Sequence, residues 1–291
     1  MTNNLTLKFS KMHGCGNDFI MLNGFSQNLP SDMGQLAIQL CDRHFGIGAD
    51  GILALYPTAA ADFEMRLFQP DGSEAEMCGN GIRCAALFAR QQGIVSHNDL
   101  TVQTLAGLIK PSINPADGQV RVDMGLPRLT PAEIPCLIEN NNAPLLNQPL
   151  EVLGREFKFC AVSMGNPHAI IFLDSAPQNL AVEKYGPLLE HNAIFPARAN
   201  IEFAQVLDEH NIEVRVWERG VGETLACGTG ACATAVAALL TDRAQSPVNI
   251  KLPGGTLQIE WHNGQSVYMT GPAQEVYQGE FSLTPAGEAA N

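Results

Sequence analysis

The chain has 291 residues, of which 45% are hydrophobic, enough for one large or two medium domains with substantial cores. Its formal net charge of −13 at pH 7 argues against nucleic acid or an anionic membrane as a partner. We expect a cytoplasmic protein, because the N-terminus lacks the pattern of a signal peptide and no apolar stretch approaches membrane-spanning length.

The first half of the chain predicts strands around one buried helix. Ser31 and Asp32 are typical helix caps and predict a helix that continues to Asp42. Residues 82–90 predict a second helix of mainly small apolar residues, which must be buried nearly all round. Strands are predicted at 5–9, 19–22, 63–67, 100–104 and 120–124.

The second half repeats this plan. Segment 126–150 is rich in Pro and Asn and is the natural crossover between the halves. Residues 231–240 predict another helix with almost no polar face, and we expect a sheet to wrap around it. Strands are predicted at 212–216, 248–252, 257–261 and 267–270, and a frayed tail at 284–291.

Two segments of the chain are copies of one another. Residues 63–81 (FEMRLFQPDGSEAEMCGNG) align with residues 212–230 (IEVRVWERGVGETLACGTG) without a gap at an offset of 149 residues. The identical pairs are Glu64/Glu213, Arg66/Arg215, Glu74/Glu223, Cys78/Cys227, Gly79/Gly228 and Gly81/Gly230. The repeat predicts two pseudo-symmetric domains, residues 1–130 rejoined by 272–291, and residues 131–271.

Each copy ends in a cysteine at the predicted start of the buried helix, Cys78 in one and Cys227 in the other. The helix dipole and the unpaired N–H groups lower the pKa of a thiol at this position. The glycines that follow expose N–H groups that can hold a carboxylate. Two such thiols on opposite faces of the neighbouring carbon could remove a proton from one side and return one to the other. We therefore hypothesise a two-base proton exchange that needs no cofactor or metal.

The copies differ in their other polar residues. Glu218 and Arg219 stand opposite Gln69 and the proline after it, and Asn200 stands opposite Gly51. An exposed ion pair is the simple interpretation of Glu218 and Arg219. Beside a motif cysteine, the two residues also suit the ammonium and carboxylate groups of a substrate.

Two asparagines and one histidine are further candidates. Asn17 and Asn166 each follow a glycine and lie 61 residues before the cysteine of their half. A turn would explain either asparagine alone, whereas the matched spacing favours a shared pocket. His168 falls opposite Phe19, so it could be a core histidine, a support for a site residue or a proton relay for one thiol.

The remaining cysteines predict no further chemistry. We expect reduced thiols rather than a disulfide framework, and the unequal spacings of the two close pairs disfavour structural zinc. Core or packing positions are expected for Cys41, Cys84, Cys136, Cys160 and Cys232, and reactivity of Cys15 in its Gly-rich loop is open.

Several segments together resemble the diaminopimelate epimerase family. They are MHGCGNDF, DRHFGIGADG, DGSEAEMCGNGIRC, VSMGNPH, RANIEF, WERGVGETLACGTGACA and LPGGTLQIEW, and the match runs from Lys8 to Gly279. The resemblance implies interconversion of LL- and meso-2,6-diaminopimelate without pyridoxal phosphate, in lysine and peptidoglycan precursor synthesis. It also implies two α/β (α+β) domains, each a mostly antiparallel, β-barrel-like sheet around a central helix, with the active site in the cleft between them, and a homodimer.

The resemblance also assigns roles to individual positions. Cys78 and Cys227 match the acid/base cysteines, and His168 and Glu218 match positions important for catalysis. Tyr268 matches a position associated with the dimer contact, although a strand aromatic is equally well explained as core. The backbone cradle for the reacting carboxylate falls on Gly79, Asn80, Gly228 and Thr229. The resemblance assigns the binding of the substrate's other amine and carboxylate groups to Asn17, Gln69, Asn166, Asn200, Glu218 and Arg219.

Two positions depart from the family pattern. Gly51 stands where some members carry glutamine and cannot supply a side chain, and Gln69 stands where asparagine is common. These departures bear on fine specificity and leave the reaction class unchanged.

Three alternatives remain open or are disfavoured. A proline or hydroxyproline racemase-type enzyme would use the same thiol pair, although Arg219 and the asparagines suit a substrate with a second amino-acid terminus. A non-catalytic thiol module, either a redox switch between Cys78 and Cys227 or a metal-binding protein, is the alternative from another class. A hydrolase is disfavoured because neither motif contains a histidine partner for its cysteine.

Overall fold

The computed structural model describes residues 5–138 and 143–283, and the predicted tail at 284–291 lies outside them. The chain divides into two compact units: unit 1 comprises Met1–Arg121 and Pro272–Asn291, and unit 2 comprises Val122–Gly271. None of the helices in the described ranges is long and apolar enough to cross a membrane.

The fold is mixed α/β and consists mostly of sheet, as predicted. Its helices are α1 (Met33–Cys41), α2 (Gly79–Gln91), α3 (Val182–Glu190) and α4 (Gly228–Leu240). Its strands are β1 (Leu5–Gly14), β2 (Asn17–Asn23), β3 (Gly51–Tyr56), β4 (Phe63–Phe68), β5 (Glu74–Ala75), β6 (Val102–Thr104), β7 (Gly107–Ile109), β8 (Ser112–Ile113), β9 (Val120–Asp123), β10 (Gln148–Val152), β11 (Arg155–Ser163), β12 (Pro167–Phe172), β13 (Asn200–Asp208), β14 (Asn211–Glu218), β15 (Gly222–Thr224), β16 (Val248–Leu252), β17 (Gly255–Glu260), β18 (Tyr268–Gly271) and β19 (Gln274–Leu283).

Each unit is built on one mainly antiparallel sheet. The order in unit 1 is β19-β1-β2-β3-β4-β6-β7, with β5 beside β4. The order in unit 2 includes β10-β11-β12-β13-β14-β16-β17-β18, with β15 beside β14. The parallel pairs are β2–β3 and β4–β6 in unit 1, and β12–β13 and β14–β16 in unit 2.

The offset of 149 residues extends well beyond the copied sequence. Adding 149 to the bounds of α1, 33 and 41, gives 182 and 190, which are the bounds of α3. Adding 149 to the bounds of α2, 79 and 91, gives 228 and 240, which are the bounds of α4. The strand pairings around them follow the same succession of antiparallel and parallel neighbours. A repeat visible in 19 residues therefore marks a duplicated architecture.

The two motif helices are enclosed by strands of their own sheets. α2 packs against β1, β2, β3 and β4, and α4 packs against β11, β12, β13, β16, β17 and β18. Every residue of α4 from Gly230 to Ala238 is buried, because small side chains let the strands approach closely. Cys84 and Cys232 are fully buried in these helices, which confirms that they are core residues.

Most predicted elements are present, with shifted bounds. Asp32 caps α1 as predicted, its Oδ1 accepting a hydrogen bond from the backbone of Gln35 at 2.9 Å. Both motif helices begin three residues before the predicted starts, at Gly79 and Gly228, because the glycines after each cysteine belong to the first turn. Sequence patterning missed helix α3, strands β3 and β10–β13, several short strands, and β19, which pairs with β1.

Helix α3 lies against β14 through a contact that only glycine allows. A Cβ at Gly186 would lie 2.5 Å from Cγ of Trp217. At the offset of 149 residues, Ala37 matches Gly186 and Phe68 matches Trp217. The larger ring in unit 2 therefore takes the space that the methyl group of alanine takes in unit 1. Trp217 is also held by its Nε1, which donates to Glu190 at 2.8 Å.

We predict that Gly186→Ala destabilises the protein by about 1–3 kcal/mol, the usual cost of overpacking. Urea unfolding measures the loss, with Lys184→Ala on the exposed side of α3 as the control, expected within about 0.5 kcal/mol of wild type. The penalty should shrink in a Trp217→Phe background, which copies the pair found in unit 1. An unchanged penalty in that background would show that Trp217 is not the obstruction.

Candidate functional site

Cys78 lies at the N-cap of α2 and takes part in a small polar cluster. Its Sγ accepts a hydrogen bond from the backbone N–H of Gly81 at 3.4 Å, in the place of an ordinary capping oxygen. The thiol donates to Oδ1 of Asn17 at 3.5 Å, and Nδ2 of Asn80 donates to the same oxygen at 3.2 Å. Three predicted site residues of unit 1 are thus in direct contact.

A network of charged residues fixes the amide of Asn17. Its Nδ2 donates to Asp50 at 2.8 Å, which leaves Oδ1 facing the thiol. Arg43 binds Asp50 at 2.7 Å and Asp18 at 2.8 Å, and Lys11 binds Asp18 at 2.7 Å. Burial alone would raise the pKa of Asp18, but hydrogen bonds from Arg43 and Lys11 outweigh it and lower the pKa to about 2. No sequence pattern predicted this network, whose only signal is the charge at each end of a Gly-rich turn.

Arg83, also missed from sequence, supports the first turn of α2 from within the same helix. It is fully buried and donates to Oδ1 of Asn80 at 2.9 Å and to the carbonyl oxygen of Gly79 at 3.0 Å. Its Nη2 also lies 3.9 Å from Sγ of Cys15. Cys15 is 1% exposed, and burial raises the pKa of its thiol despite this cation.

Gln69 and Gly51 lie apart from these contacts. Gln69 begins a tight turn, in which its N–H donates to the carbonyl oxygen of Ser73 at 2.8 Å, and its side chain is exposed. Gly51 begins β3, and a Cβ there would lie 2.9 Å from the carbonyl oxygen of Phe68. The backbone therefore leaves no room for a glutamine at this position without a local shift.

Cys227 lies at the N-cap of α4 with the same geometry. Its Sγ accepts from the backbone N–H of Gly230 at 3.4 Å and lies 3.5 Å from Oγ1 of Thr229. This thiol is buried and lies near two carboxylates. Burial, then Glu218 and then Glu202 raise its pKa well above the ordinary value. The predicted lowering of the pKa is therefore wrong for Cys227, where burial and two carboxylates outweigh the hydrogen bonds from Thr229 and Gly230.

Glu218 and Arg219 have separate partners. Glu218 accepts a short hydrogen bond from the hydroxyl of Thr224 and also contacts Cys227. Burial raises the pKa of Glu218, outweighing the hydrogen bond from Thr224. Arg219 is exposed, and its Nη1 donates to the carbonyl oxygen of Ala197 at 3.0 Å. The two side chains are thus not the exposed ion pair of the simple interpretation.

His168 links a buried carboxylate to two predicted site residues. Its Nδ1 lies 2.7 Å from Oε1 of Glu202, and both side chains are fully buried. Its Nε2 lies 3.0 Å from Oδ1 of Asn166, whose Nδ2 donates to Oγ1 of Thr229 at 3.3 Å. The sequence analysis missed Glu202, although an acidic residue inside the apolar segment RANIEF is a usable signal.

Asn200 acts on the backbone of the site. It is 3% exposed, donates through Nδ2 to the carbonyl oxygen of Pro167 at 2.9 Å, and accepts at Oδ1 from the N–H of Arg219 at 2.9 Å. It also stands beside His168 in the β12–β13 pairing. Asn200 thus fixes the start of the turn that carries Arg219.

A matched pair of ion pairs braces the loop before each cysteine. Arg66 binds Glu74 with two hydrogen bonds of 2.7 Å, and Arg215 binds Glu223 with bonds of 2.6 and 2.8 Å. Such bidentate contacts hold geometry as well as charge. Their identity in both copies is explained by this shared structural role.

The remaining candidates are Tyr268 and three further cysteines. Tyr268 is half-buried on β18, in register with Glu260 of β17. Cys41, Cys136 and Cys160 are buried, with exposed fractions of 3%, 7% and 0%, which confirms their packing role.

Comparisons with known proteins point to one family. A family model described as diaminopimelate epimerase matches residues 9–130 and 160–276. The chain is 55% identical over 282 residues to the diaminopimelate epimerase of Desulforudis audaxviator, covering 94% of this chain and 99% of the relative. It is 51% identical over 279 residues to that of Carboxydothermus hydrogenoformans, covering 95% of this chain and 100% of the relative.

Solved structures share the fold at much lower identity. A phenazine biosynthesis protein of the PhzF family from Bacillus anthracis has a TM-score of 0.68 and 16% identity, covering 95% of this chain and 99% of that one. A hydroxyproline epimerase from Agrobacterium vitis has a TM-score of 0.67 and 17% identity, covering 99% of this chain and 96% of that one. At these identities the likeness concerns architecture alone.

We predict that Glu218→Gln lowers the pKa of Cys227, because it removes a negative charge in contact with the thiol. Ultraviolet titration of the thiolate measures the shift, with the Cys227→Ala spectrum subtracted to isolate this thiol. Glu209→Gln, an exposed substitution in the same unit, is the control and should leave the titration unchanged. A pKa that rises or stays fixed in Glu218→Gln would contradict the assignment of this carboxylate.

Proposed function

This chain belongs to the diaminopimelate epimerase family, and we propose that it interconverts LL- and meso-2,6-diaminopimelate by a two-thiol mechanism without a cofactor. The observation that carries the proposal is the duplicated helix cap, in which Cys78 and Cys227 each accept a backbone N–H beside a glycine-rich first turn. The reaction serves lysine and peptidoglycan precursor synthesis, and we place the enzyme in the cytoplasm.

The proposed reaction moves one proton off the α-carbon and another onto its opposite face. The thiolate of one cysteine takes the α-proton, so that an S–H bond forms as the C–H bond breaks and the electron pair moves onto the α-carboxylate. The thiol of the other cysteine then donates its proton to the other face and becomes the thiolate. The mechanism requires both sulfurs to reach the same carbon, and their roles exchange when the direction reverses.

Charge on the developing enediolate is the main barrier to this step. The α-proton of an amino acid is a very weak acid, so the anion must be stabilised as it forms. The first-turn N–H groups contributed by Gly79, Asn80, Gly228 and Thr229 are the proposed donors. Each well-placed donor of this kind contributes about 3 kcal/mol to a transition state.

Cys227 starts the reaction as a thiol in this proposal, because burial and neighbouring carboxylates raise its pKa. It acts as the acid in that state. It becomes the base for the reverse direction once it has given this proton to the substrate and is left as the thiolate.

The distal groups of the substrate are assigned to the asymmetric polar residues. Arg219 has an exposed guanidinium that suits a carboxylate, and Glu218 suits an ammonium group. Asn200 is already bonded to two backbone groups, so we assign it to positioning Arg219. The remaining proposed contacts are the amides of Asn17, Gln69 and Asn166.

We further propose a homodimer with Tyr268 at the contact. Light scattering should give twice the chain mass for the wild type and a smaller mass for Tyr268→Ala. Tyr277→Ala removes a partly exposed aromatic ring from β19 and is the control, expected to stay dimeric. A wild-type protein with the mass of one chain would contradict the proposal.

The central prediction concerns solvent exchange at the α-carbon. Reduced wild-type protein incubated in D2O with LL-diaminopimelate should introduce deuterium with inversion, followed by NMR. Cys78→Ala and Cys227→Ala should each lose inversion by at least about 1,000-fold, because each removes one of the two proton-transfer groups. Cys84→Ala and Cys232→Ala remove buried thiols from the same helices and are the matched controls, expected to retain exchange.

Three results would contradict parts of the proposal. Inversion that survives in either Cys78→Ala or Cys227→Ala would exclude the two-thiol mechanism. Exchange on proline or hydroxyproline but not on diaminopimelate would move the substrate to the racemase alternative. No exchange with any of these acids, under reducing conditions, would favour a non-catalytic thiol module.

A further inference from the structure

Glu202 is a buried carboxylate in which only one of the two oxygens has a hydrogen-bond partner among the described residues. Both it and its partner His168 are fully buried, and Oε1 of Glu202 lies 2.7 Å from Nδ1 of the ring. Its Oε2 is buried without a hydrogen bond to any atom of residues 5–138 or 143–283. A Cβ built on Gly230 would lie 2.6 Å from Oε1, so the carboxylate sits directly under the first turn of α4. A buried acidic group this poorly satisfied is costly and calls for a role.

The hydrogen bonds around His168 determine the direction of each donor. Nδ2 of Asn166 donates to Oγ1 of Thr229, so Oδ1 of Asn166 faces the ring and must accept from Nε2. His168 therefore carries a proton on Nε2. Its Nδ1 faces Glu202, so the pair holds one further proton, either on the ring or on the carboxyl group. The ring is thus held by Glu202 on one side and by Asn166 on the other.

The chain of donors ends at the sulfur of Cys227. Because Oγ1 of Thr229 accepts from Asn166, its own hydrogen is available for Sγ of Cys227, 3.5 Å away. The donors run in one direction, from His168 through Asn166 and Thr229 to the sulfur. A donated hydrogen bond stabilises a thiolate relative to a thiol.

Unit 1 has the same backbone arrangement but lacks the pair formed by Glu202 and His168. At the offset of 149 residues, Leu53 replaces Glu202 and Phe19 replaces His168. The side chain beneath Gly81 is accordingly Leu53, whose Cδ1 would lie 3.2 Å from an added Cβ.

The matching asparagines consequently present opposite ends of their amides. Asn17 turns Oδ1 toward Cys78 because Asp50 takes its Nδ2. Asn166 turns its Nδ2 toward Thr229, because the ring of His168 takes its Oδ1. The two half-sites therefore differ in hydrogen-bond polarity although their backbones match.

We infer that Glu202 is a positioning residue for the Cys227 half-site: through His168 it fixes the amide of Asn166, so that a hydrogen bond is delivered through Thr229 to the reacting sulfur. The inference rests on the proposed function only in naming Cys227 as a reacting group. It predicts that the chemistry of Cys227 depends on the side chain at position 202, and that this dependence passes through the imidazole.

The ring nitrogens of His168 give a test that needs no substrate. Long-range 1H–15N NMR of the full chain, with the His168 signals assigned from a His168→Phe variant, reports whether each nitrogen is protonated or bonded. In Glu202→Leu the Nδ1 signal should move to that of a bare, unbonded nitrogen. In Glu202→Gln it should remain hydrogen-bonded, because the amide can donate to Nδ1 and keep the proton on Nε2. Unchanged Nδ1 and Nε2 signals in Glu202→Leu would overturn the inference.

A double-mutant cycle tests the route to the sulfur. Glu202→Leu should lower kcat for diaminopimelate about 10- to 100-fold, with KM much less affected, as for other residues that orient a reacting group. Glu202→Gln should recover most of that loss. In a His168→Phe background Glu202→Leu should cause no further loss, because its effect passes through the ring. This double variant copies the apolar pair of unit 1, so both partners are removed together and no buried polar atom of this pair is left behind.

The outcomes separate this inference from the proposed function. Additive losses in the cycle, or a loss in Glu202→Gln equal to that in Glu202→Leu, would overturn the positioning role. If the wild type does not turn over diaminopimelate, the proposed function fails, and the NMR comparison still decides whether Glu202 sets the state of His168.

Discussion

A backbone N–H bonded to a sulfur, at the first turn of a helix enclosed by a sheet, is the contact on which the rest of this structure depends. α2 and α4 are covered by strands along their length, so their N-terminal turns are the places where unpaired donors can meet a ligand. Cys78 and Cys227 each take one of these donors through Sγ. The neighbouring N–H groups of the same turn then suit a carboxylate.

Duplication explains the shared parts of the two units, and divergence explains their chemistry. The helices, the strand succession and the Arg–Glu braces recur at one offset, because they hold the cysteine in place. The residues beneath the first turn of each motif helix are not constrained by the need to hold the cysteine in place. Leu53 fills that position in unit 1, whereas Glu202 fills it in unit 2, where burial, then Glu218 and then Glu202 raise the pKa of Cys227. The repeated backbone thus places the two thiols beside different polar neighbours, which suits the proposed reaction, in which one thiol gives a proton while the other takes one.

The sequence was informative wherever a pattern depended on local spacing. The copied motifs predicted both caps, and the small apolar residues of α4 predicted its burial, because helical periodicity and capping are properties of neighbouring residues. Contacts between distant segments were not predictable in the same way. Asp50 reaches Asn17 across 33 positions, and His168 reaches Glu202 across 34, through the parallel pairing of adjacent strands. The raised pKa of Cys227 also lay outside sequence reasoning, because it follows first from burial and then from Glu218 and Glu202, which only the fold brings close to the thiol.

The return of β19 to β1 has a consequence for how the chain is made. Unit 2 is continuous between Val122 and Gly271, whereas unit 1 is assembled from both ends of the chain. All the strands and helices of unit 2 are therefore synthesised before unit 1 can be completed. The reason is that β19, the partner of β1, lies about 270 residues further along the chain. Until Gln274–Leu283 has left the ribosome, that side of β1 is an unpaired edge, which is the kind of surface that favours misassembly and chaperone binding.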